Sequence, residues 1–97
     1  MRVISKQILT DYGKKEPAAK EALDAWYAEA VEADWKMPPD VKAEYPKASI
    51  LKEGRVVFNI RHNSYRLVVR VNYDLGVIQI RFIGTHKEYD RIDAQTI

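Results

Sequence analysis

Three stretches in the second half of the chain alternate apolar and polar residues with a period of two. Val56, Phe58 and Ile60 alternate with Arg55, Val57, Asn59 and Arg61. Tyr65, Leu67, Val69, Val71 and Tyr73 alternate with Arg66, Val68, Arg70 and Asn72, and Ile78, Ile80 and Phe82 with Val77, Gln79, Arg81 and Ile83. That period marks half-buried strands. His62-Asn63-Ser64 and Asp74-Leu75-Gly76 carry turn chemistry between them, so the spacing predicts an antiparallel meander over 55–84. The first half reads differently. Ala19, Ala22, Leu23, Trp26, Tyr27, Ala30 and Val31 recur at three- and four-residue spacing, one apolar stripe on a helix over 17–34. Pro17 sits at its favoured first position. Ser5 is a candidate N-cap for a shorter helix reaching Tyr12, with Gly13 placed to stop it. Met1–Ile4 suits a short opening strand. Met37-Pro38-Pro39-Asp40 breaks the long helix, and 40–46 have room for one short turn closed by Pro46. Thr85 and Glu88 have capping-box spacing, which predicts a short helix after the last strand.

These elements predict an α+β fold. Two N-terminal helices pack on one face of a mainly antiparallel sheet, formed by a short N-terminal strand and a three-strand meander, and a short C-terminal helix follows. The helix-facing side gathers Phe58, Ile60, Leu67, Val69, Ile78, Ile80 and Phe82. The other side collects Asn59, Arg61, Arg66, Arg70, Asn72, Gln79 and Arg81, an open polar face carrying four arginines. No repeat or linker interrupts the 97 residues, so a single domain over 1–97 is expected.

Composition narrows the function classes. Hydrophobic residues at 46% and charged residues at 31% match an ordinary soluble protein. With no cysteine, neither a disulfide framework nor a thiolate zinc site is available. Only His62 and His86 remain as imidazole ligands, so no metal or other cofactor is expected. The N-terminus turns polar at once, unlike a secretory signal, and no apolar run nears the roughly 20 residues of a membrane helix. A cytoplasmic protein without a membrane partner is the expectation. Net charge is only +2, but it is unevenly placed. Residues 1–48 hold eight Lys/Arg against nine Asp/Glu, a net of −1, whereas residues 49–97 hold eight against five, a net of +3. Arginine also replaces lysine: Arg2 alone in the first half, and Arg55, Arg61, Arg66, Arg70, Arg81 and Arg91 in the second. A planar guanidinium grips phosphate through paired hydrogen bonds, and it equally well pairs with the domain's own acids.

Cleaving RNA without a metal requires a base for the 2′-hydroxyl, charge to stabilise the phosphate and an acid for the leaving 5′-oxygen. A histidine titrating near neutrality suits either proton role. His86 beside the arginine face fits such a site, with Arg66 as the phosphate clamp. Tyr89 is placed to donate a proton or stack on a base, and Asp90 to orient His86 or act as base itself. Each has a plainer reading: a locally bonded histidine, an ion pair of Asp90 with Arg91 or Arg66, a rim tyrosine. His62 most simply serves its turn.

Two stretches carry a resemblance to a known family. Gly84-Thr85-His86-Lys87-Glu88-Tyr89-Asp90 is similar to the T-H-x-E-Y-D signature that ends the last strand of HigB-type, RelE-like toxins. Asn63-Ser64-Tyr65-Arg66-Leu67-Val68-Val69 resembles that family's N-x-Y-R-L before an apolar strand. The resemblance spans the chain, with its specific motifs within 58–90. It implies a RelE-like fold and an endoribonuclease acting on mRNA, in many members on message being translated in the ribosomal A site, by 2′-hydroxyl attack. It further implies a HigA-type helix-turn-helix antitoxin, through which alone operator DNA would be bound. Arg66, His86, Tyr89 and Asp90 fall on the motifs as catalytic residues, and Asn63 as an RNA-binding one. Strand geometry and charge add Arg61, Arg70, Arg81 and Lys87 as RNA contacts. The alternative is a non-catalytic RNA- or partner-binding module, an inactive toxin acting as operon co-repressor.

Overall fold

The computed structural model describes residues 1–97. In chain order its elements are β1 (Arg2–Ile4), α1 (Gln7–Lys15), α2 (Pro17–Glu32), α3 (Pro38–Glu44), β2 (Ser49–Ile50), β3 (Arg55–Ile60), β4 (Tyr65–Asn72), β5 (Val77–Thr85) and α4 (His86–Tyr89). The strands form one sheet in the order β1-β5-β4-β3-β2. β1 runs parallel to β5, and every other neighbour pair is antiparallel. The α+β layout and the meander follow the sequence pattern, and β2 is a further short edge strand. No helix is long and apolar enough to cross a membrane.

The helical layer departs from expectation at its ends. Ser5 does not cap α1; it takes a left-handed conformation, φ 66°, and Lys6 occupies the cap position. Gly13 does not stop α1 either. It lies buried inside the helix, against the stem of Lys20 from α2. The 40–46 turn is a helix that starts earlier, at Pro38, because Asp40 accepts the backbone N–H groups of Lys36 at 2.9 Å and Met37 at 3.3 Å. The opening strand is anchored at the far end of α2: the α-ammonium of Met1 donates to the carbonyls of Ala30, Val31 and Ala33 at 3.2, 2.6 and 2.9 Å, where the helix dipole is negative.

The main core lies between the helices and the sheet. Phe58 is its hub, with ring centroids of Tyr45, Trp26 and Trp35 at 5.0, 5.4 and 6.0 Å. Around it pack Leu23, Val56, Ile60, Leu67, Val69, Ile78 and Ile80, all buried. The alternation of β5 then breaks. Val69 pairs with Ile80, but Val68 pairs with Phe82, so Arg81 is the extra residue of a β-bulge. Beyond it every side chain changes side. Ile83, expected on the polar face, enters the main core, and Phe82, expected in the core, joins Val57 and Val68 on the opposite face.

That opposite face is therefore not the open polar surface the alternation implied. Val57, Val68 and Phe82 form a cross-strand row under the C-terminal segment, through Ile92, Ala94 and Ile97. Arg55 is buried at the same place, 7% exposed, and donates Nε and Nη2 to the carbonyl oxygen of Ile97 at 3.1 and 3.0 Å. A buried cation held by one carbonyl and by Glu53 at 3.3 Å pins the segment to the sheet. We expect Arg55→Ala to lower stability by about 2 kcal/mol and to speed amide exchange over 91–97 at least tenfold, with the helix-facing strands little changed. Unaltered exchange in the segment would show that Arg55 does not hold it.

Candidate active site

β4 carries Arg66, Val68 and Arg70 on the face away from the helices, and each heads a cross-strand row. Arg66 lies between Asn59 of β3 and Gly84 of β5, Val68 between Val57 and Phe82, and Arg70 between Arg55 and Gln79. The middle row is the one covered by the C-terminal segment, so the arginines fall into two separate places. Arg70 is four residues along the strand from Arg66, roughly 13 Å, and its Nε donates to the Glu53 carbonyl at 3.1 Å. Arg81 is the exposed bulge residue opposite the covered row. Arg61 is not on the strand face. It sits in the β3–β4 turn with His62, both left-handed at φ 51° and 61°.

The Arg66 row is where the remaining candidates meet. Its Nη1 donates to the Asn63 carbonyl at 3.2 Å, so the turn orients the guanidinium, and the guanidinium carbon stands 6.0 Å from the centre of the Tyr89 ring. No carboxylate pairs with Arg66. Asp90 pairs with neither Arg66 nor Arg91. Its Oδ1 instead lies 3.5 Å from His86 Nε2, one helical turn away, with both side chains more than half exposed. That separation is too long for a strong hydrogen bond but keeps the imidazole beside an anion. Lys87 is exposed and unpaired on the same turn. No three His, Asp or Glu side chains converge in a metal-binding group.

What holds α4 against the row is the capping box that the sequence predicts, together with partners that sequence reasoning passed over. Thr85 and Glu88 form the expected capping box: Thr85 Oγ1 accepts Glu88 N–H at 3.1 Å, and Glu88 Oε1 accepts Thr85 N–H at 2.8 Å. The same Oε1 accepts the buried Tyr12 hydroxyl of α1 at 3.2 Å, and the Tyr12 ring packs edge-on against Tyr65 at 5.9 Å. Burial and then the Glu88 carboxylate push the Tyr12 hydroxyl well above its ordinary pKa, so it remains a donor. The backbone N–H of Thr85 holds Glu88 below its ordinary 4.5. Gly84 is needed for space: a Cβ there would stand 2.6 Å from Phe82 Cζ and 3.0 Å from Glu88 Cβ. The Thr-x-x-Glu spacing signalled the capping box, but nothing local signalled Tyr12 as its partner.

Comparison with known proteins decides what this arrangement belongs to. The HigB_toxin family, described as the RelE-like toxic component of a toxin–antitoxin system, matches residues 19–92. This chain is a member of that family. It is 33% identical over 96 residues to the mRNA interferase toxin HigB of Escherichia coli (strain K12), covering 97% of this chain and 92% of that protein. The mRNA interferase HigB of Shigella flexneri matches over the same span at 33%. A further mRNA interferase HigB, from Escherichia coli O6:H1, is 24% identical over 94 residues, 95% of this chain and 91% of that protein. Membership in a HigB toxin family implies an antitoxin partner. Both motif stretches, 63–69 and 84–90, fall inside the matched residues.

In this HigB family member the capping box carries a charge that titrates. A carboxyl with a lowered folded pKa adds stability that is complete above its ordinary value and is lost as pH falls through the lowered one. Glu88→Gln keeps the capping geometry and removes the charge, so its urea stability should fall less than the parent's between pH 7 and pH 3. Tyr12→Phe should cost about 1 kcal/mol at pH 7. Parallel pH curves for the parent and Glu88→Gln would rule out the charged cap.

Proposed function

We propose that this toxin is an mRNA interferase, an endoribonuclease that cuts by attack of the ribose 2′-hydroxyl and leaves a 2′,3′-cyclic phosphate. The observation that carries the reading is Arg66: a guanidinium with no carboxylate partner, held by Asn63 beside the Tyr89 ring, one cross-strand step from the helix bearing His86 and Asp90. An unneutralised arginine on a rigid strand is suited to the charge that develops on a phosphorane. His86 is exposed, so substrate and solvent reach it, and Asp90 Oδ1 stands 3.5 Å from its Nε2. We assign His86 to proton transfer, Asp90 to orienting it, and Tyr89 to protonating the leaving oxygen or stacking on the adjoining base. Lys87, Asn63 and Arg61 line the approach of the RNA, while Arg70 and Arg81 are left for its more distant phosphates. The names of the relatives support mRNA as substrate. Its natural setting would be message in the ribosomal A site, and a HigA-type helix-turn-helix protein would neutralise the toxin and carry the pair to operator DNA.

Purified protein in EDTA should cut mRNA, alone or on programmed ribosomes, at positions mapped by primer extension. His86→Ala and Arg66→Ala should each slow cutting by about 10²-fold or more, and expression of either should not arrest growth as expression of the parent should. Salt-sensitive RNA binding with no cutting in either setting would instead establish the non-catalytic module.

A further inference from the structure

The outer edge of β3 is only half covered. The Arg55 carbonyl accepts the Leu51 N–H at 2.8 Å on that side, and Val57 pairs with Ser49. Strand alternation turns the backbone N–H and carbonyl of Asn59 the same way, but β2 has already ended. Ala48 directs its own N–H back to the Tyr45 carbonyl at 3.0 Å. Asn59 therefore opens a donor and an acceptor onto a cleft of about 670 Å³ that wraps around the edge of the sheet, lined also by Tyr45, Lys47, Phe58, His62 and Asn63. That size is within the roughly 300–1,000 Å³ of small-ligand sites. The cleft adjoins the candidate active site through two residues: Asn59 is the cross-strand neighbour of Arg66, and Asn63 supplies the carbonyl that orients the Arg66 guanidinium. Its aromatic wall is rigid, because the Tyr45 ring packs on Phe58 and Trp35 and its hydroxyl donates to Glu29.

Resting on the nuclease reading above, we propose that this cleft is a nucleobase subsite, which takes the base next to the phosphate gripped by Arg66. Tyr45 and His62 offer ring faces for stacking, and the Asn59 backbone and the Asn63 amide offer donors and acceptors to a base edge. Lys47 at the rim meets the adjoining phosphate. The subsite gives the toxin a preference for one base at one position beside the cut, independent of the proton chemistry at His86.

The test uses full-length protein, Lys47→Ala and His62→Gly, with a randomised RNA pool in a translation extract and sequencing of the cut ends. Both substituted side chains are exposed, and glycine accepts the left-handed backbone at 62, so both variants keep the fold. The parent should favour one base at one fixed position. His62→Gly should flatten that preference and lower kcat/KM on the favoured RNA about tenfold, whereas Lys47→Ala should lower kcat/KM and keep the preference, because a phosphate contact carries no base information. An abasic nucleotide at that position should bring the parent down to the His62→Gly rate and cost His62→Gly nothing more. The same preference and the same abasic penalty in the parent and His62→Gly would overturn the subsite while leaving the nuclease standing. Absence of His86-dependent cutting by the parent would overturn both. Unchanged cleavage patterns with escape from antitoxin neutralisation would assign the cleft to a protein partner and overturn the subsite.

Discussion

Side chains along a strand point alternately to the two faces of its sheet, so one inserted residue exchanges the faces of everything that follows. Arg81 is that residue in β5. Before it, Ile78 and Ile80 face the helices; after it, Ile83 takes their place and Phe82 crosses to the other side. The exchange puts Gly84 directly beside Arg66, on the face where α4 must lie. Gly84 has no side chain to obstruct the Phe82 ring or Glu88, so the helix carrying His86, Tyr89 and Asp90 settles over the end of the sheet. The bulge also brings the Phe82 ring beside Val57 and Val68 on the second face, and the C-terminal segment covers all three.

The division of labour between buried and exposed groups follows from solvation. Arg55 is buried and fully engaged by a carbonyl and a carboxylate, as a desolvated guanidinium requires. Arg66, half-buried on the same face, has only carbonyl partners, which leave its charge uncompensated. Water meets part of that cost in the free protein, and a phosphate is the ligand that would replace it. His86 and Asp90 stay exposed, whereas the groups that aim their helix, Tyr12, Tyr65 and Glu88, are at least partly buried. Rigid support beneath an accessible, charged surface is what phosphate chemistry on a large substrate needs.

Most of the architecture was legible because it rests on local periodicity. The period of two over 55–84, the 3.6-residue stripe of α2, the turn residues and the Thr85–Glu88 capping box each state their structure within a dozen residues. Both family motifs are equally local. The misreadings share one cause. Gly13 reads as a helix stop unless Lys20 is known to lie against it. Ile83 and Phe82 read on the wrong faces because a bulge leaves the alternation of residue types untouched. The four arginines read as one field because the residues that divide it, Ile92, Ala94 and Ile97, come too late in the chain to signal where they pack.

By itself, the sequence determined the helices and the four longer strand segments, the apolar face of each as far as the β5 bulge, and that His86, Tyr89 and Asp90 share one turn. Those properties follow from side-chain chemistry repeated at short separation. Only the tertiary structure decided that Arg66 shares a row with Gly84, that Tyr12 reaches across 76 positions to hold Glu88, and that Arg70 is set apart. Strand register and segment docking are settled by which apolar surfaces bury one another across the whole chain, and no local pattern encodes that choice.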